Sequence, residues 1–286
     1  MTLMFEVEDL AEASPATVSR CGMVLLEAHS LGHSVLIDSY CKHLQKFIPE
    51  KVIFKLSELM HYCANIMCEF IRINCKQCVP TGPNFLVNNM INVLDTFVKG
   101  WDEEVEKKLS DDPEAPPVYK TPKEAEDILN NALLYAIIWG MGAQIEETTR
   151  NKFDKILMEM LQQENVIKTY GLDLEANNEP KKLPVKLPEH TSLFDLCYLP
   201  ENLQWTNWLK TVPEYHVPTD CTYASLVVPT LDSIRVNNNL NRLLNAGKHT
   251  LIVGPTGTGK SISIVQELKS HFNNENYCFL SLAFSA

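Results

Sequence analysis

Positive charge, long apolar runs and a basic leader are all scarce in this sequence of 286 residues. Lys and Arg number 25 against 36 Asp and Glu, for a net charge of −11. That balance argues against a general nucleic-acid binder or an anionic-membrane binder, since both favour basic surfaces. No apolar stretch approaches the roughly 18 residues that a membrane span requires. The opening MTLMFEVEDL is acidic and has no basic n-region, so no secretory signal is expected there. Nine cysteines, an odd number, are then best read as reduced thiols. Cys75 and Cys78 form a CxxC with Cys63 and Cys68 nearby, a grouping that zinc sites use. Three of these four lie in the helical-looking MHYCANIMCEFIRINC, where buried structural cysteines are the expectation.

What is present is an ordinary globular composition, 45% hydrophobic and 21% charged, with length for about two domains. Residues 3–7 and 23–26 look like strands, 8–13 like a helical turn, and Ser14-Pro15-Ala16-Thr17 like a turn that starts a helix. Helical spacing recurs over 52–73 and 85–98, broken at 79–83, and again over 124–163. Residues 110–123 are Pro-rich and acidic and predict an exposed loop, and 175–188 predict a linker. Short segments follow over 191–235, with Trp205 and Trp208.

The most specific motif is GPTGTGKS at 254–261, a complete match to the phosphate-loop pattern G-x-x-x-x-G-K-[ST]. The run His249–Val253 before it predicts a buried parallel strand, and ISIVQELKSHF after it predicts a helix. Gly254, Gly257 and Gly259 suit a backbone that turns sharply and approaches a phosphate closely. Amides from Thr256 through Gly257, Thr258 and Gly259 to Lys260 would cradle phosphate oxygens at a helix N-terminus, with Pro255 part of the same binding loop. Lys260 would place an ammonium near the β- and γ-phosphates, and the Ser261 hydroxyl would ligate Mg²⁺. A second strand is predicted at 277–282. Hydrolysis also needs an acidic residue on a later strand, and residues 278–286 contain no carboxylate.

FEVEDLAEASPATVSRCGMV at 5–24 resembles a segment of dynein heavy chains at the end of the large subdomain of their second AAA+ module. ALLYAIIWGMGAQIEETTRNKFD at 132–154 is similar to the end of that module's helical subdomain. LFDLCYLPENLQWTNWLKTVPEY at 193–215 and VPTLDSIR at 228–235, with the phosphate loop, resemble the approach to the third module and its opening. The resemblance covers nearly the whole chain, in order, and favours the axonemal branch.

It implies an α/β P-loop fold of AAA+ type: a mainly helical block followed by an incomplete parallel-sheet nucleotide-binding block. It implies residues 1–27 as the end of the second module's large subdomain and 28–174 as its helical subdomain. Residues 175–220 become a linker into the next module, and 221–286 the N-terminal part of the third. Arg20 would be an arginine finger acting in trans on nucleotide of the preceding module. Val228, Pro229 and Thr230 would pack against adenine. ATP or ADP with Mg²⁺ would be the ligands. The other heavy-chain modules, intermediate and light chains and microtubules would be the partners, in the cytoskeleton of a cilium or flagellum. Without the later acidic strand and sensor residues, the expectation is a motor-ring fragment that is inactive alone. The competing reading is a helical interaction scaffold with a vestigial phosphate loop.

Overall fold

A computed structural model describes residues 6–7, 10–24, 31–101, 121–174, 180–189, 192–212, 227–271 and 278–284. The chain falls into two compact units, residues 1–32 and 33–286. The first contains α1 (Pro15–Val18), begun by Ser14, whose side chain accepts a hydrogen bond from the Thr17 amide. Pro15 sits at the first helical position, where a missing N–H costs nothing. Of the strands expected in this unit, residues 6–7, 23 and 24 are in no ladder, and the remaining positions lie outside the described residues.

The second unit is built on α2 (Ser34–Leu44), α3 (Glu50–Asn74), α4 (Pro83–Asp95) and α5 (Pro122–Ala136). α5 runs on into a π-helical turn (Ile137–Met141) and a 3₁₀ turn (Gly142–Gln144), followed by α6 (Glu147–Leu161) and α7 (Val166–Tyr170). α3 is the central element. Thirteen of its 25 residues are buried, so it is contacted on more than one side rather than along a single stripe. α5 starts at Pro122, inside the stretch expected to be loop. Thr121 and Glu124 form a capping box that satisfies two donors of the first turn.

The π-turn lies directly against α4. A Cβ on Gly140 would sit 2.6 Å from the Met90 Cα and 2.8 Å from its backbone nitrogen, so only glycine allows this approach. The α3–α4 connection is pinned to the same corner. The Cys78 amide donates to the Gln144 carbonyl and the Glu146 amide to the Lys76 carbonyl, at 2.8 and 2.9 Å. The CxxC therefore spans a helix end and a β-bridge. Cys63 and Cys68 are buried, Cys75 is half-buried and Cys78 is exposed. Among the described residues, no three His, Cys, Asp or Glu side chains are grouped as metal ligands.

Residues 180–189 have no regular structure, as their composition predicts, yet Leu183 is buried and Val185 and Leu187 pack on the core. A two-stranded antiparallel hairpin follows, β1 (Leu196–Leu199) and β2 (Gln204–Asn207), with Tyr198 opposite Trp205. It delivers both tryptophans to the helical core. Trp205 Nε1 donates to Asn131 Oδ1 at 2.7 Å, and Trp208, fully buried, meets Trp139 edge-on at 5.9 Å. The sole sheet among the described residues is this hairpin.

α8 (Leu231–Asn245) and α9 (Lys260–His271) complete the unit. The expected helix after the phosphate loop is α9. The expected parallel strands are not formed. Residues 249–253 and 278–282 are in no ladder, and Leu251, Leu280 and Leu282 are 87%, 82% and 67% exposed. A strand is defined by its neighbours, and an extended segment with no paired edge has no ladder to join.

Candidate functional site

The phosphate loop joins residues 249–253 to α9. Gly257 and Gly259 have φ of +83° and +81°, the left-handed region that side chains with a Cβ rarely occupy. These two left-handed residues lie immediately before α9 and lead the chain into it. The first intrahelical bond runs from the Ser263 amide to the Gly259 carbonyl at 3.0 Å. The amides of Lys260, Ser261 and Ile262 thus have no acceptor inside the helix and remain donors at its positive end. Residues 254–258 and Ser261 are exposed, and Gly259 and Lys260 half-buried.

Lys260 folds back over the loop. Its ammonium donates to the Gly254 carbonyl at 2.8 Å, to the Pro255 carbonyl, and to Thr258 Oγ1 at 3.3 Å. Thr258 Oγ1 in turn donates to the Pro255 carbonyl at 2.9 Å. A Cβ on Gly254 would meet Thr258 Oγ1 at 3.5 Å and Lys260 Cδ at 3.7 Å, ordinary van der Waals contact, so the folded lysine does not itself require glycine here. The arrangement fits a polyphosphate with its cation: unsatisfied amides converge on a helix start, one ammonium lies beside them, and the Ser261 hydroxyl stands in the first turn.

The Val228–Thr230 segment leads into α8. Val228 is 56% exposed and Pro229 half-buried. Thr230 has a clear structural role: its hydroxyl accepts from the Ser233 amide while Ser233 Oγ accepts from the Thr230 amide, a reciprocal cap on α8. Arg20, in the other unit, follows the capped turn of α1. Its amide donates to the Thr17 carbonyl at 3.2 Å and its side chain is exposed, in no ion pair among the described residues.

Sequence reasoning missed the polar seam that ties α8 to the helical core. Arg235, 9% exposed, bonds Asp195 at 2.5 Å and Asp232 at 3.1 Å. Tyr135 Oη donates to Asn239 Oδ1 at 2.9 Å. The Arg242 guanidinium lies 4.7 Å from the Phe97 ring centre and donates to the Tyr198 carbonyl at 3.3 Å. Lys248 Nζ meets Asp95 Oδ2 at 2.6 Å, six residues before the loop begins. The available signal was the spacing of Arg235, Asn239 and Arg242, which repeats at helical intervals and places polar groups on one face of α8.

Residues 56–210 match the family model of the dynein heavy chain AAA lid domain, and residues 215–286 that of the P-loop containing dynein motor region. Among curated relatives, the chain is 28% identical over 295 residues to dynein axonemal heavy chain 3 of Mus musculus, covering 100% of this chain and 7% of that protein. It is 29% identical over 304 residues to dynein axonemal heavy chain 1 of Homo sapiens, and 29% over 294 residues to the dynein gamma chain, flagellar outer arm, of Chlamydomonas reinhardtii. Each of these two alignments covers 100% of this chain and 6% of the relative.

Proposed function

The chain belongs to the dynein heavy chain family, and on that premise we propose that residues 254–261 bind the phosphates of ATP or ADP with Mg²⁺ within an α/β AAA+ motor ring. The observation that carries this reading is the pair of left-handed glycines, Gly257 and Gly259, that opens a helix whose first amides lack intrahelical acceptors. In this reading the amides of the loop hold the phosphates and Lys260 turns from the Gly254 and Pro255 carbonyls to a phosphate oxygen. Ser261 ligates Mg²⁺, which draws charge off the phosphates when bound. Val228, Pro229 and Thr230 present an apolar edge to the adenine, supported by the exposure of Val228.

The proposed division follows from the family's order of modules. Residues 1–27 close one large subdomain, 28–174 form its helical lid, 175–220 lead onward, and 221–286 open the next nucleotide module. Arg20 is proposed as an arginine finger for nucleotide on the preceding module, supported by its exposed side chain beyond a capped turn. The chain spans about 7% of the length of the curated relatives it matches. ATP-driven movement on microtubules, association with other dynein subunits and a place in a ciliary or flagellar axoneme are therefore proposals for the whole protein. They are supported by the axonemal and flagellar heavy chains among those relatives.

The test is titration of the 286-residue chain with a fluorescent N-methylanthraniloyl ADP and Mg²⁺. Weak, saturable binding is expected for the wild type, and about ten-fold or greater weakening for Lys260→Ala, since a lost charge-assisted contact is worth about 1.5–3 kcal/mol. Wild type that does not bind at millimolar probe, or Lys260→Ala that binds equally, sinks the reading.

A further inference from the structure

α9 carries a carboxylate that the phosphate-loop motif does not account for. Glu267 lies six residues beyond Ser261, about 9 Å along the helix axis, and is 4% exposed. A carboxylate is rarely buried to this degree without fixed partners. Asn241 of α8 supplies one: its Nδ2 donates to Glu267 Oε1 at 2.6 Å. The same asparagine accepts from Asn245 Nδ2 through its own oxygen, so its amide is oriented with the donor toward Glu267. The element behind the loop is thus held by α8, and α8 is held by the lid through Arg235–Asp195, Tyr135–Asn239 and Arg242 on Phe97. Before the loop, Lys248 is held by Asp95 of α4. Both limbs of the loop are therefore anchored, one to α4 and one through α8, and Asn241–Glu267 is a hydrogen bond between α8 and the phosphate-loop helix itself.

We propose that Glu267 and Asn241 are positioning residues for the nucleotide site: their hydrogen bond fixes the tilt of α9 and with it the direction of the Lys260, Ser261 and Ile262 amides. The proposal rests on the reading of residues 254–261 as a nucleotide site. Amides act on a phosphate only within hydrogen-bond reach, so a small tilt of α9 that leaves the lid intact weakens nucleotide selectively.

Asn241→Asp breaks the bond and sets two carboxylates against each other. It keeps the oxygen that Asn245 uses and replaces the donor facing Glu267 with a second carboxylate oxygen. In Asn241→Asp/Glu267→Gln the amide and the carboxylate exchange places and the bond is restored with opposite polarity. The full 286-residue chain is titrated with N-methylanthraniloyl ADP and Mg²⁺, and lid unfolding is followed by circular dichroism in the same samples. The expected result is about ten-fold weaker binding in Asn241→Asp, recovery to within about two-fold in the double variant, and an unchanged lid transition in both. Wild-type affinity in Asn241→Asp overturns the inference alone. So does a loss that the double variant fails to recover, or one that tracks a lowered lid transition. Wild type that binds no probe overturns the inference together with the nucleotide site.

Discussion

The helical lid and the phosphate-loop segment lie in one compact unit but are held by different forces. In the lid, α3 buries thirteen side chains, all apolar or weakly polar. In the 15 residues of α8, the buried side chains are Arg235 and Leu240, and among the described side chains of α9 the buried one is a carboxylate, Glu267. The lid is stabilised mainly by area removed from water, which is non-directional and tolerates small shifts. α8 and α9 are placed by ion pairs, amide hydrogen bonds and a cation over a ring, which fix direction at small net gain. A region that must aim backbone amides at a ligand benefits from the second kind of contact. A region that only supports it does well with the first.

One substitution made on both sides tests this contrast most strongly. Phe153 is fully buried against Phe194, whereas Phe284 is 93% exposed. Phe153→Ala should destabilise the lid by about 4 kcal/mol, the transfer and cavity cost of a buried aromatic. Phe284→Ala should stay within about 0.5 kcal/mol. Urea denaturation followed by circular dichroism gives both numbers. Comparable losses would mean that the two regions share one apolar core and that the contrast is false.

Next in size is Gly140→Ala. The added methyl would meet Met90 backbone atoms, which cannot rotate away, so the π-turn and α4 must separate. About 3 kcal/mol is expected, at the upper end of overpacking costs. Gly82→Ala is the control within the same region, because its Cβ would meet only Phe85 Cδ2 at 4.0 Å. It should lose less than about 1 kcal/mol as a poorer helix cap. Equal effects at the two glycines would show that the close approach at Gly140 is relieved by movement of α4.

These positions also show what was legible in the sequence. The phosphate loop and α9 were readable because glycines, lysine and serine at fixed spacing have few other uses, and Gly257 and Gly259 take the backbone that the motif requires. The apolar period of α3 was readable for the same local reason. The start of α5 was readable but missed: Thr121-Pro122-Lys123-Glu124 carries a capping box and a proline at the first helical position, outweighed by the acidic, Pro-rich run before it. The strand expected at 249–253 failed because pairing is not a local property. The burial of Leu183 beneath a linker-like composition, and of Arg235 between two aspartates, depends on what folds against them. Asp232 is a helical neighbour of Arg235 and lies in any local window, but Asp195 and the core beneath Leu183 do not.

Near neutral pH the smallest effect lies in the thiols, whose protonation contributes no pH dependence there. Burial pushes Cys63 and Cys68 up to about 12 from an ordinary value of 9.0, with the Glu69 charge adding to the rise at Cys68. The folded lid therefore holds these groups as thiols. Above pH 9 the unfolded chain releases protons that the folded chain retains, so stability falls as pH rises. The contribution is complete below about pH 9 and is lost progressively between 9 and 12. Cys278, beyond the phosphate loop, is exposed. Iodoacetamide at pH 8 should modify Cys21, Cys78 and Cys278 in the native chain, and reach Cys63 and Cys68 only as fast as the lid unfolds, because thiolate and access are both withheld. The decline in urea midpoint above pH 9 should be smaller in Cys63→Ala/Cys68→Ala than in the wild type. Modification of Cys63 at the rate of Cys278 would show that the lid opens as readily as the phosphate-loop segment, and the distinction between an area-packed support and a polar-aimed site would collapse.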